Sequence, residues 1–197
     1  MYCIIDIETT WLSREYNHIT EIAAVKFDGS QITSERESLI NPQVPIPWGI
    51  TRLTWIDNEL VAESPTIHEV LPEFIEFLGD DVFVAHNIWF DRGFIQANLV
   101  KHHEYSMNNK KLCTRKLWNR ILSHLPSKSL WALCEHFGVT NDRAHRAMAD
   151  VQATTQVLKY FLDHLEYLEW HKHYPWIIDF QQRPVKRCQT MLRWKLL

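Results

Sequence analysis

The sequence predicts an α/β fold, a mixed five-stranded sheet flanked by helices, on three observations. MYCII opens the chain as an apolar run and breaks into DIETT, so a buried strand ends in acids. Asp28-Gly29 sits between two apolar-rich runs and signals a β-hairpin. A helical pattern, the short apolar run DVFVAHN and a second helical pattern follow in that order. That order predicts a crossover onto a parallel strand beside the first.

Taken along the chain, residues 2–7 read as the first strand, and HITEIAAVKFDGSQITSERESLIN as two strands around Asp28-Gly29. NPQVPIPWGI carries three prolines, which predict an ordered loop without regular structure. In TIHEVLPEFIEFL, residues 66–78, the apolar positions Ile67, Val70, Leu71, Phe74 and Phe77 or Leu78 recur at helical spacing. Thr66 is the expected cap, with Glu69 completing a capping box. DVFVAHN is the fourth strand, IWFDRGFIQANLVKH a helix and KKLCT the last strand. Helices over about 115–123, 129–137 and 145–163 follow. From about 165 the composition turns aromatic, Pro175 interrupts any helix, and past Asp179 every charged residue is basic.

A length of 197 residues suits one domain with a sizeable core. The 21 basic and 24 acidic residues give no global positive field to announce nucleic acid. Cysteines at 3, 113, 134 and 188 have no CxxC spacing, which argues against a cysteine-built zinc site and a disulfide framework. A reduced, cytoplasmic setting is expected, with no signal peptide. No apolar run nears the ~18 residues of a spanning helix, so no membrane partner is expected. Nine tryptophans are many for this length. Packing accounts for any one of them, and a group beside a polar cleft also suits base stacking.

The acids carry the chemistry. Side chains at i and i+2 of a strand point to one face, so Asp6 and Glu8 aim two carboxylates at one spot. Such a pair repels unless a positive group sits between, and a hard divalent cation is the natural partner. Solvated acids at a frayed strand end are the plain alternative. Asp91 lies in the first turns of a helix that follows the fourth strand. If that strand pairs with the first, their carboxyl ends share an edge and Asp91 faces Asp6. Asp150 follows His145 by five residues. On a continuous helix that offset is ~140°, so the two share a site only if His145 lies outside the helix or at its start. His102-His103 and the His171/His173 pair read as solvated loop residues.

DIETT, HNIWFD and HRAMAD, in this order, resemble the three motifs of the DEDDh 3′→5′ exonuclease family. That family includes the proofreading epsilon subunit of bacterial DNA polymerase III and ribonuclease T. ITEIAAVKFDG resembles the family's second strand and hairpin, WGITRLT its GIT segment, and SLWALCEHFGV with AHRAMADVQATTQVL its last two helices. The resemblance covers roughly residues 2–163 and carries nothing to the tail. It implies a ribonuclease H-like fold over residues 1–164, with 165–197 as a C-terminal extension packed on the domain or on a second subunit.

The resemblance also implies roles. Asp6, Glu8, Asp91 and Asp150 hold two Mg²⁺ or Mn²⁺ ions, with His145 as general base. The backbone near Thr9 and Thr10 holds the terminal sugar, Ile50 wedges against the last base, and Phe90 packs beneath the sugar or the metal site, with plain core packing as its alternative. The expected substrate is the 3′ end of single-stranded DNA or RNA, DNA favoured, and the product a nucleoside 5′-monophosphate. Proofreading and repair are both open; so are a DNA polymerase partner, a homodimer, an RNA-trimming role and a non-catalytic binding module. Two departures stand out. Trp11 occupies the position where the family commonly has Gly, and Cys113-Thr114 stands where it often has Asp-Thr.

Overall fold

The computed structural model describes residues 1–168. The expectations for the basic tail, including a packed MLRWKLL and phosphate contacts by Arg183, Lys186 and Arg187, lie outside the described residues, as do His171 and His173.

Five strands form one sheet: β1 (Tyr2–Thr9), β2 (Ile19–Phe27), β3 (Ile32–Leu39), β4 (Val82–Ala85) and β5 (Lys111–Cys113), in the order β3-β2-β1-β4-β5. β1 pairs antiparallel with β2 and parallel with β4, and β4 pairs parallel with β5. The mixed sheet and its parallel crossover are those expected. Hairpin strand β2 is buried almost throughout, while β3 is an exposed, charged edge. Charge on an open edge discourages pairing with another chain. At the hairpin turn the Asp28 carboxylate accepts from the Ser30 and Gln31 N–H groups, and Gly29 takes φ 106°. That left-handed φ favours glycine.

The helices divide between the faces of the sheet. α2 (Ile67–Leu78) and α3 (Ile88–His103) pack on one face, around Cys3, Ile5, Ile7 and Phe83. α4 (Thr114–Ile121), α5 (Leu130–Phe137) and α6 (Ala147–Leu168) pack on the other, around Ile4, Ala23, Val25 and Val84. Period-two alternation along β1 thus serves two cores. α6 runs on to Leu168, past residue 164. Among the described residues no helix is long and apolar enough to cross a membrane.

Three local expectations need correction. The proline-rich loop ends sooner than expected: α1 (Trp48–Thr54) begins inside WGI, after Pro47 at the N-cap. Proline costs nothing there, because the first helical N–H groups have no intrahelical partner. β1 continues through Thr9, so Asp6 and Glu8 both lie within the strand. His102 and His103 are not loop residues but close the last turn of α3. The carbonyl of His68, which Pro72 four residues on cannot serve, lies 3.2 Å from Nε2 of His103.

Candidate active site

β1 and β4 run parallel, so their carboxyl ends meet, and the acids converge there. Asp6 and Glu8 leave β1 on one face, directly opposite Ala23 and Glu21 of β2. A register shift between Glu8 and Thr9 ends the regular pairing. Asn87 caps α3 after β4, and Asp91, in the first turn, is only 3% exposed. α6 begins at Ala147, so His145 stands outside the helix, in a left-handed conformation (φ 66°), and Asp150 projects from the first turn. A ring nitrogen of His145 and carboxylate oxygens of Glu8 and Asp150 all lie within 4.8 Å of one another.

The electrostatics follow from burial without compensation. Burial raises Asp6 well above the usual carboxylate range, and Asp91, Asp150, Glu8 and Glu21 push it further. Glu8 is pushed up to about 8, by burial first and then by Asp150, Glu21 and Asp91, with Arg146 opposing. Burial lifts Asp91 to about 7, against backbone N–H bonds from Asp91 itself and Ile7. Asp150 is also raised by burial, while Asn141 and the His145 N–H pull it back. Four acids that resist ionisation beside one another form a site that a cation stabilises. Their donors are carboxylate oxygens, which suit hard divalent ions. The residues therefore fit such a metal.

Sequence reasoning missed a supporting layer. Glu21 is 3% exposed, and its carboxylate accepts from Arg146 Nε at 3.1 and 3.2 Å, from Arg146 Nη2 at 2.6 Å and from the Ala147 N–H at 2.7 Å. It pins the start of α6 to the sheet on one side of His145. On the other side the His145 N–H reaches Asp150 Oδ2 at 3.2 Å, and Asn141 Nδ2 reaches Asp150 Oδ1 at 2.7 Å. One signal was available: Glu21 is an acid inside the otherwise apolar run ITEIAAV, and a buried charge needs a partner.

The expected substrate contacts divide. Thr9 and Thr10 are buried beside the carboxylates. Thr9 Oγ1 donates to the Trp11 carbonyl, Thr10 Oγ1 accepts from the His18 N–H, and the Thr10 N–H donates to the His18 carbonyl. Phe90 is half-buried, packs on Phe94 with ring centroids 5.0 Å apart, and lines a cavity of ≈ 290 Å³ with Leu12 and Arg14. Gly93 leaves room for Arg14, whose Nη1 would lie 2.9 Å from a Cβ there. Ile50 is 8% exposed and packs in a separate cluster with Ile46, Ile56 and Val61. Trp11, Trp48, Trp55, Trp89 and Trp131 are exposed, whereas Trp118 is buried.

Comparison with known proteins agrees with this geometry. The RNase_T family, described as exonuclease, matches residues 3–158. The DNA polymerase III subunit epsilon of Aquifex aeolicus is 34% identical over 172 residues, covering 87% of this chain and 83% of that protein. A PolC-type DNA polymerase III of Clostridium perfringens is 39% identical over 159 residues, and a putative bifunctional exonuclease/endonuclease protein of Mycobacterium tuberculosis 37% over 205. The chain spans only 11% and 31% of those two proteins. The Mycobacterium alignment covers 97% of this chain, so the likeness runs beyond residue 163, where the motifs had ended it. Among solved structures, Exonuclease X in complex with 5′ overhanging duplex DNA superposes with a TM-score of 0.69 at 29% identity, over 86% of this chain and 94% of that one. E. coli Exonuclease I in complex with a dT13 oligonucleotide shares the fold at 16% identity, with a TM-score of 0.74 over 88% of this chain and 44% of that one. The ribonuclease H-like fold is the one expected.

Proposed function

The chain belongs to the RNase_T exonuclease family, and from that premise we propose that it is a metal-dependent 3′→5′ exonuclease that removes nucleoside 5′-monophosphates from single-stranded DNA. The observation that carries this reading is the convergence of Asp6, Glu8, Asp91 and Asp150, with His145, at one sheet edge. Asp6, Glu8, Asp91 and Asp150 would hold two Mg²⁺ or Mn²⁺ ions through their carboxylate oxygens. When bound, the ions supply charge stabilisation at the attacking and leaving oxygens of an in-line displacement. His145 takes the proton of the attacking water on an imidazole nitrogen. Its exposure and left-handed backbone support that role, because the ring stands clear of α6 and reaches solvent. Thr9 and Thr10 border the terminal sugar through their backbone, and Phe90 forms the floor beneath it. Ile50 meets the last base with the small part of its surface left exposed.

DNA is favoured because two of these three relatives carry DNA polymerase names and Exonuclease X, at 29% identity, is in complex with DNA. The likeness to an epsilon subunit supports proofreading beside a polymerase. The test is hydrolysis of matched 5′-labelled single-stranded DNA and RNA oligomers with Mg²⁺ or Mn²⁺. The expected result is stepwise shortening from the 3′ end, faster on DNA, stopped by a chelator and nearly abolished in Asp6→Ala. No metal-dependent shortening, or near-normal turnover by a folded Asp6→Ala protein, would overturn the proposal.

A further inference from the structure

Residues 105–134 hold Lys110, Lys111, Arg115, Lys116, Arg120 and Lys128 and not one acid, so all 24 acids lie elsewhere. In a chain of net charge −3 this is a strong local excess. The stretch contains β5 and α4, which adjoin the end of β4 where the carboxylates gather. Consecutive residues of α4 point to two features there.

The first is a polar cavity of ≈ 480 Å³ lined by His86, Arg115 and Lys128. His86 immediately follows β4, and its carbonyl accepts from the Arg115 N–H at 3.1 Å. Its Nε2 lies 2.8 Å from the Lys128 carbonyl, which can only accept, so Nε2 carries the proton and Nδ1 accepts from the Thr114 hydroxyl at 3.0 Å. Burial, with Arg115 adding to it, lowers His86 to about 4, against the bond to Lys128. The neutral ring ties the Lys128 loop to the sheet edge. Among the described residues, the lining contains no carboxylate.

The second feature is Trp89, 55% exposed and two residues before Asp91. The ammonium groups of Lys111 and Lys116 each lie 4.9 Å from its ring centroid. The indole attracts two like charges that repel each other and gathers them at one place.

We propose that Arg115, Lys116, Lys111 and Lys128, arranged by Trp89 and His86, bind the phosphodiester backbone of the single strand that leads away from its 3′-terminal nucleotide. The inference rests on the exonuclease reading for its ligand. It adds a surface that grips phosphates without reading bases, so it gives the strand a path and a length preference. Phosphates match these cations, and their binding releases counterions, which makes affinity fall with salt.

The test is equilibrium binding of a fluorescent 12-nucleotide single-stranded DNA in chelator, where no hydrolysis occurs, against salt concentration. An Arg115→Ala, Lys116→Ala, Lys128→Ala triple variant is expected to bind at least tenfold more weakly. Its slope of log affinity on log salt should be shallower by ~0.7 for each phosphate that the variant no longer neutralises. Arg36→Ala, on the distant edge strand β3, should bind as the unaltered protein does. Because Lys128 Nζ also bonds the Leu125 carbonyl at 2.5 Å, an Arg115→Ala, Lys116→Ala double variant carries the test if the triple variant melts early. Unchanged affinity and slope in folded variants would overturn the inference. Failure of the exonuclease reading is seen separately, as an unaltered protein that binds the oligomer but shortens no strand in Mg²⁺ or Mn²⁺.

Discussion

At the residue scale, each acid at the site is placed by something that would be lost without it. Asp6 is crowded by burial and by four neighbouring carboxylates. Replacing it with Asn removes the charge and keeps the shape. Hydrolysis should fall by more than the ~100-fold ceiling typical of residues that only support a metal ligand. The metal-free protein should melt higher, because repulsion is relieved. Turnover assays and thermal melts in chelator check both outcomes. Glu21 belongs to the supporting class. Glu21→Gln weakens its hold on Arg146 and on the Ala147 N–H, so His145 loses its place while the carboxylates remain. Activity should drop ~10–100-fold. That loss should fall mainly on kcat, with a changed acidic limb in the pH–rate profile; an unchanged kcat would contradict the positioning role. The four acids and His145 were legible in the sequence because motif spacing marks them. Glu21, Arg146 and Asn141 were not, because their roles arise from contacts between segments up to 126 residues apart.

At the element scale, periodicity read the strands and α2 well because each has one simple buried pattern. Ile75 shows the limit. It is buried in α2, yet lies beside the predicted apolar stripe, because the helix packs against both the sheet and α3. α1 was hidden by its prolines. Helix exclusion applies to interior positions, and Pro47 stands at the boundary. α2 also sets a quantitative expectation. Phe74 is fully buried between α2 and the sheet, so Phe74→Ala should cost about 3–5 kcal/mol in urea unfolding. Specific activity of the folded fraction should change little, because the substitution lies in the core on one face and not among the carboxylates. A loss below ~1 kcal/mol would mean that α2 is not packed as described.

At the scale of the whole molecule, the site makes stability depend on pH and metal together. Glu8 near 8 and Asp91 near 7 hold protons more tightly when folded than in an unfolded chain, where carboxyl groups titrate near ~4. Folding therefore takes up protons between these values. The associated stability is full below pH ~4 and is lost as pH rises through about 7 and 8. The metal-free protein should accordingly lose melting temperature across that window. Saturating Mn²⁺ should restore it, so the gap between the two melting curves widens with pH; a constant gap would contradict the coupling. Charge is also partitioned across the molecule, acids at the site and cations along β5 and α4, which net charge alone concealed. The same protonation makes the central claim directly measurable. Calorimetric titration of Mn²⁺ into the protein near pH 7, in buffers of different ionisation enthalpy, should show binding with proton release, because Glu8 and Asp91 must ionise to ligate. Asp6→Asn should lose most of that affinity. Binding with no proton release, or equal affinity in the Asp6→Asn protein, would contradict the assignment of these carboxylates as the metal centre.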